Sequence, residues 1–334
     1  MQVFFLEEKF ILSLTPHDEQ QMEKPNIAII GAGMTGVVCA RNLKDAGYEP
    51  IIFEKSRGIG GRMATRRTSK GLQFDHGAQY ITAKNKHFQS FIDTAISAGC
   101  AAHWKIEEKS TFVGRPSMNS LLDSFVEGLS LKYNTEILRV QKSKHGWMLS
   151  SENQNQLFDI VVLALPAPQI INLIGEHNPL SQELSNVEMK PCLTLMAAFP
   201  SNKSSPFITR REPNDDLAWI SQDSAKPNRP SEITCWVAQA GDDWSTKYLE
   251  YNKDEIAQLL SPMLCERLSI SSSELLYSSA HRWRYSKVTR PLGNPFMSDD
   301  SETLYVGGDW TISARVEGAW ESGTAIARSI LEYL

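Results

Sequence analysis

The sequence predicts an α/β protein in which both chain ends build a parallel-sheet unit and a mostly antiparallel unit with helices lies between them. Three observations carry this. An apolar run, a glycine turn and a helical pattern occupy residues 27–46. A second apolar run, Gly307-Gly308-Asp309 and another helical pattern fill residues 304–334. From Cys192 to about Tyr285, short β-type segments alternate with polar, proline-containing loops.

The N-terminal elements follow in order. Ile27, Ala28, Ile29 and Ile30 form an unbroken apolar run, as expected of a strand buried on both faces of a parallel sheet. Gly31, Gly33 and Gly36 give the spacing G-x-G-x-x-G. Gly31 permits the tight turn, Gly33 lets backbone approach a pyrophosphate, and Gly36 lets the helix lie close to the strand. The helix, about Met34 to Ala46, turns unpaired N–H groups and its positive dipole end toward phosphate, and Gly47 ends it. Ile51–Phe53 reads as the second strand. Glu54 at its tip, about 20 residues after the turn, suits a ribose diol. This is a Rossmann-type, dinucleotide-binding unit.

The next loop says which dinucleotide. Gly58, Gly60, Gly61 and Arg62 follow the acid at once. A second glycine loop carrying a guanidinium, which can pair bidentately with phosphate oxygens, suits FAD better than NAD(P). Near the other end, Asp309 follows a Gly-Gly turn and can bond ribityl hydroxyls. A helix from about Val316 would aim its N-terminal amides at the flavin N1–C2=O edge, where negative charge collects on reduction. Gly318, Ala319, Ser322 and Gly323 would allow close approach to the ring. The FAD is expected to be non-covalent, because no cysteine lies between Gly307 and Trp320.

In the middle of the chain, Phe74–Tyr80 reads as strand and turn feeding the cofactor. Helical patterns are expected at 85–98 and 117–128, and strands at 131–133, 136–144 and 147–150. A buried strand at 158–165, stopped by Pro166 and Pro168, returns to the first sheet. The inserted unit should hold strands at 192–199, 217–222, 232–239 and 274–283, with a helix at 254–268. The expected division is 26–103, 120–190 and 300–334 for the FAD-binding domain, and 104–119 and 191–299 for the substrate domain. Residues 1–25 read as a disordered or non-native extension. Met22 lies just before Ile27 and reads as the true start, with residues 1–21 from an upstream start codon; the alternative is a short disordered or weakly amphipathic arm.

Composition excludes several classes. At 334 residues the chain can bury a large core, and 41% hydrophobic with 22% charged residues is ordinary for a globular protein. A net charge of −5 argues against a nucleic-acid partner. Cys39, Cys100, Cys192, Cys235 and Cys265 show no C-x-x-C spacing and read as reduced thiols of a cytoplasmic protein, with no metal site. No apolar run approaches ~18 residues, so no membrane span is expected. Glu7, Glu8 and Lys9 interrupt the N-terminal apolar run, which argues against a signal peptide.

Taken together, GAGMTG, GGRMAT, GAQYITA and GDW…RVEGAWESG resemble the renalase family, most of all its bacterial members. The similarity runs from about Ile27 to the C-terminus and departs from the family between Lys105 and Arg115, where the connection is short. The resemblance implies a p-hydroxybenzoate-hydroxylase-like FAD fold. It also implies a function: oxidation of 2- or 6-dihydroNAD(P) to NAD(P)+ by hydride transfer to flavin N5, with O2 reduced to H2O2. Carried over by position, Thr35 would meet the pyrophosphate, Glu54 and Lys55 the adenosine ribose, and Arg62 the phosphates. Gln79 and Tyr80 would lie beside the flavin. The Ile137 backbone would meet adenine, Asp309 the ribityl chain and the Val316 amide the flavin edge.

A dihydropyridine loses hydride readily, because aromatisation drives the step. The protein need only stack the ring, exclude water and stabilise the reduced cofactor. No catalytic acid or base is therefore expected. His76, His87, His103 and His281 read as structural, and Trp236 and Trp244 as core. Trp283 reads either as a wall of the nicotinamide pocket or as core. Arg315 reads either as a contact for the anionic dinucleotide or flavin, or as a partner of Glu317 or Glu321. The alternatives are an amine oxidase, which shares the Gly-Gly-Arg loop, or another FAD-dependent oxidoreductase, and a non-enzymatic flavin-binding sensor.

Overall fold

The structure, a computed structural model, describes residues 24–106, 110–201 and 205–334. The expectations about Met22 and the N-terminal extension fall mostly outside these residues. Ile27–Ile30, buried throughout, is the centre of a six-stranded sheet. Ile160–Leu163 and Ile51–Phe53 flank it in parallel, and Leu304–Val306 and Ser130–Lys132 continue the parallel order outward. The short Met297–Ser298 closes one edge antiparallel. The chain leaves Ile27–Ile30 toward one neighbour and returns on the other side. In such sheets this opens a crevice beyond the carboxyl ends of the two strands, where ligands bind. Gly31 and Ala32 stand at that crevice.

Two helices close this unit. Met34–Asp45 and the C-terminal Val316–Tyr333 cross tightly, because a Cβ on Gly323 would meet the Thr35 carbonyl oxygen at 2.3 Å. The Thr35 hydroxyl donates to the Ala319 carbonyl at 2.9 Å. The small residues of the C-terminal helix thus serve packing. Ser322 Oγ accepts from the Gly308 amide, and a Cβ on Gly318 would meet the Ser313 carbonyl at 2.8 Å. Ser322 and Gly323, expected to allow close approach to a flavin ring, are used here in packing.

The second sheet has five antiparallel strands in the order Thr209–Arg211, Trp219–Gln222, Ile233–Gln239, Glu188–Pro200, Tyr277–Arg290. The helix Lys253–Leu268, opened by an Asn252/Glu255 capping box, covers one face. It buries Ile256, Leu260 and Leu264 against Leu195, Trp236 and Ala280. Trp236 and Trp244 are core, as expected. The opposite face turns toward the parallel unit, where Met196, Ala198, Cys235 and Val237 pack on Leu72 and Phe74.

The elements depart from expectation in a few places. The last strand of the second sheet runs to Arg290 because pairing with Glu188–Pro200 sustains it through a charged edge segment that hydrophobicity does not mark. The 117–128 pattern forms a 3-10 helix over Met118–Phe125. Pro166 and Pro168 stop the preceding strand, as read, and also open an unexpected helix, Ala167–Ile174, since proline suits a first helical turn. Among the described residues, no helix is long and apolar enough to cross a membrane.

Candidate functional site

The site begins at the crevice of the parallel sheet. Gly31 holds φ +106°, and a Cβ there would meet the Ala164 carbonyl oxygen at 2.6 Å. A Cβ on Gly36 would meet the Gly31 carbonyl oxygen at 2.0 Å, whereas one on Gly33 would meet nothing within 4 Å. Gly31 and Gly36 are therefore required by the turn and by the helix–strand approach, and Gly33 is the glycine that faces open space. The helix behind it has no side-chain cap and no acid in its first turn, so its leading amides are open to an anion. This cradle fits the diphosphate of a dinucleotide. Glu54 is buried at the next strand tip, accepting from the Ala32 amide at 2.9 Å and the Ser56 amide at 2.8 Å. Each oxygen keeps a lone pair for a hydroxyl.

The two distant glycine motifs meet here. The Arg62 fork closes on Asp309, with Nη1 to Oδ2 at 2.9 Å and Nη2 to Oδ1 at 2.6 Å, and Nη1 also reaches the Ser286 carbonyl at 3.0 Å. The sequence placed Arg62 at phosphates and Asp309 at a ribityl chain; the structure makes them one unit joining residues 247 positions apart. Gly60, at φ +117°, shapes the loop that delivers the arginine.

Other expected residues take these positions. Lys55 lies 3.8 Å from Glu136, so the tip bearing Glu54 adjoins the start of the strand Ile137–Ser143, where Ile137 is buried. The Gln79 side chain is buried; its Nε2 donates to the Asp75 and Gly77 carbonyls and its Oε1 accepts from Ser221. Tyr80 is half-buried, its ring 5.4 Å from that of Trp219. Val316 opens the C-terminal helix, and Arg315 before it pairs with buried Glu317 at 2.7 Å. Glu317 Oε1 also accepts from the Lys84 and Asn85 amides.

Facing the 76–80 loop is a row that sequence reasoning did not assemble. Cross-strand register places Arg211, Trp219, Gln239, Thr194 and His281 opposite one another in turn. Directly opposed residues share a face, and this is the face turned to the parallel unit. Gln239 Nε2 donates to the Gly77 carbonyl at 2.7 Å. At the far end His281, His76 and Trp283 cluster, with ring centroids 4.6 Å apart for the two histidines and 5.1 Å for His76 and Trp283. Trp283 Nε1 donates to the His76 carbonyl at 2.8 Å, so this residue ties the loop to the sheet. Burial, then Arg66, pushes His76 down to about 4; burial, then His76 and Arg66, pushes His281 down to about 3. Both rings are neutral near pH 7. His87 and His103 lie exposed on other elements.

Behind the loop sits a second feature without a sequence signature. Asp75, Asp223, Lys226 and Arg229 form a buried group of two acids and two bases. Lys226 Nζ lies 2.6 Å from Asp223 Oδ1 and 3.2 Å from Asp75 Oδ2, and Arg229 Nη2 lies 2.7 Å from Asp75 Oδ2. Burial alone would raise the Asp75 carboxyl, but Lys226 and Arg229 outweigh it and hold it below its ordinary value. The Met118 amide and Thr65 hydroxyl complete its shell. The group clamps the loop base onto the antiparallel sheet.

With this geometry in view, the chain can be set beside known proteins. Residues 29–95 match the NAD(P)-binding Rossmann-like domain, and residues 93–331 match the flavin-containing amine oxidoreductases. Renalase of Mus musculus is 24% identical over 92% of this chain and 99% of its own length. The L-glutamate oxidase precursor of Streptomyces diastatochromogenes is 48% identical over 62 residues, which are 18% of this chain and 9% of that protein. A putative protoporphyrinogen oxidase from Exiguobacterium sp. 255-15 superposes with TM-score 0.73 at 14% identity, covering 94% of this chain and 100% of that one. Cyclohexylamine oxidase from Brevibacterium oxydans gives 0.70 at 12%, covering 93% and 99%. The last two likenesses establish the fold.

Proposed function

The chain belongs to the flavin-containing amine oxidoreductases, with FAD as cofactor, and from that premise we propose that it oxidises 2- or 6-dihydroNAD(P). The balanced reaction is dihydroNAD(P) + O2 + H+ → NAD(P)+ + H2O2. FAD supplies the two-electron acceptor and the route to oxygen. The chain's own residues hold and shield. The Gly31–Gly36 turn and its helix cradle the diphosphate, Glu54 takes the ribose, and the Arg62–Asp309 pair fixes the far glycine turn. Arg62 itself then acts by orienting Asp309 as much as by charge.

The observation that carries the substrate reading is the uncharged row Trp219–Gln239–Thr194–His281 opposite the 76–80 loop. It offers a flat aromatic face, one side-chain amide and a hydroxyl, and its histidine is neutral because burial holds it so. That suits a substrate that gives up hydride without proton transfer to the protein. The whole-length similarity to a renalase supports the same reading. Trp283 and Arg315, each read from sequence either as a substrate contact or as a structural residue, are better read as positioning residues: Trp283 bonds the His76 carbonyl and Arg315 takes the expected alternative partner, Glu317.

The tilted Tyr80–Trp219 pair favours one other reading, an amine oxidase, because two aromatic faces can clasp an amine. Anaerobic rapid mixing separates the two. The expected result is bleaching of the yellow colour of the oxidised flavin far faster by 2- or 6-dihydroNAD than by benzylamine or cyclohexylamine. The reverse order would replace the proposal with the amine oxidase reading.

A further inference from the structure

Trp219 and Gln239 stand directly opposite each other on adjacent antiparallel strands, so their side chains leave the same face about 5 Å apart. Trp219 Nε1 is shielded from water and has no hydrogen-bond partner. An indole N–H only donates, and a shielded donor without an acceptor costs about 1–3 kcal/mol. Gln239 is fixed the other way round. Its Nε2 donates to the Gly77 carbonyl at 2.7 Å, which leaves Oε1 as an acceptor with no partner among the described residues. Trp219 reaches the cofactor unit through Tyr80, and Ser221 on the same strand bonds Gln79. The pair therefore lies against the loop expected beside the flavin.

One donor and one acceptor at this spacing match a primary carboxamide, whose carbonyl oxygen accepts and whose NH2 donates. We propose that Trp219 and Gln239 form a carboxamide-recognition site for the nicotinamide of the substrate, an inference that rests on the dihydronicotinamide reading above. Trp219 Nε1–H donates to the carboxamide oxygen. The carboxamide NH2 donates to Gln239 Oε1, whose orientation is set by Gly77. A carboxamide held at both ends cannot rotate end for end, so the ring presents one edge to the cofactor. The pair is thus specificity-determining for which ring carbon gives up hydride.

The test compares 6-dihydroNAD with its 3-acetylpyridine analogue, in which a methyl group replaces the carboxamide NH2 and the carbonyl is kept. In Gln239→Leu the preference for the carboxamide over the acetyl substrate in kcat/KM should fall on the order of tenfold relative to wild type, since an acceptor bond of about 1.4 kcal/mol is lost. Trp219→Phe, which keeps a ring against Tyr80, should raise KM for both substrates by a similar factor and leave their ratio unchanged. Calorimetric binding of NAD+ and 3-acetylpyridine adenine dinucleotide should show the same split without turnover. An unchanged substrate ratio in Gln239→Leu, or an unchanged KM in Trp219→Phe, overturns the inference while the oxidase reading stands. A wild-type flavin that neither 2- nor 6-dihydroNAD bleaches overturns the oxidase reading, and this inference with it.

Discussion

The parallel sheet and the antiparallel sheet build their halves of the site by different means. At the carboxyl ends of Ile27–Ile30 and Ile160–Leu163 the working parts are backbone: a glycine turn, open helix amides and one acid. Side chains there are mostly absent because a Cβ would collide or obstruct. On the antiparallel sheet the working parts are side chains from four strands, brought into line by register alone. A backbone site tolerates almost no change at a few positions. A register site depends on the sheet being docked correctly, and here a buried charge group does the docking.

That dependence predicts the largest effect. Asp75→Asn removes one acid from the four-charge group and leaves Lys226 and Arg229 short of a partner. Breaking a buried pair in this way costs about 3–5 kcal/mol. The urea midpoint should fall accordingly, and the oxidase should lose dinucleotide affinity as the 76–80 loop loosens. A loss under about 1 kcal/mol would mean the two sheets are docked by apolar packing alone, through Phe74, Met196 and Val237.

The glycines give the next effect and separate shape from binding. Gly36→Ala forces a Cβ onto the Gly31 carbonyl oxygen at 2.0 Å. Overpacking of this kind costs about 2–3 kcal/mol, read by thermal unfolding. Gly33→Ala meets open space and has an ordinary φ of −80°, so it should fold like wild type and yet retain less FAD. Equal stability losses for both variants would remove the argument that Gly33 is kept for a ligand.

The same contrast explains what the sequence made legible. The first glycine turn, Glu54, the Gly60-Gly61-Arg62 loop and the C-terminal Gly308-Asp309 turn are contiguous motifs, and a local conformational demand writes itself into neighbouring residues. The strands of the second sheet were legible too, from alternation. Their pairing was not, because register is settled by partners from 14 residues away (Gln222 and Trp236) to 102 residues away (Glu188 and Arg290) that no local pattern names. Trp219, Gln239, Thr194 and His281 therefore gave no joint signal, and His281 read alone looked structural. Asp75, Asp223, Lys226 and Arg229 were similarly hidden, since a surface carboxylate and a fully buried one are the same letter. The Arg62–Asp309 pair lay between the two cases: both residues were named, and only the fold made them partners.

Arg62→Ala tests that pair. It removes two charge-assisted bonds to Asp309 and one to the Ser286 carbonyl. Loss of these should weaken FAD retention by about 1.5–2 kcal/mol, or roughly tenfold to thirtyfold, measured by flavin released on ultrafiltration. Asp309→Ala should match it, and the double variant should lose little more than either alone, because the two act as one unit. Additive losses would show that each meets the cofactor independently.

The smallest predicted effect probes whether the row is uncharged from Trp219 through His281, beyond Arg211 at its edge. His281 faces His76, Arg66 and Lys253, and its pKa lies near 3, with burial the largest cause and His76 and Arg66 adding to it; that of His76 lies near 4. An unfolded histidine takes its proton near pH 6.5. As pH falls below that value the unfolded chain gains protons that the folded chain still refuses, so stability declines from about pH 6.5 downward until the folded rings charge near pH 4 and 3. Asp75, held below the ordinary carboxylate range, contributes its own acid loss only at lower pH. The window from about pH 6.5 to 5 therefore isolates the histidines. His281→Gln should lower the overall unfolding temperature through lost contact with Trp283, yet show a shallower decline across that window than wild type. Its flavin-bleaching rate should stay as flat with pH as that of wild type, since a neutral ring neither gives nor takes a proton in the reaction. An equally steep stability slope in the variant would place a charged His281 in the folded row, and the row would then resemble a site built for an anion instead of a neutral ring.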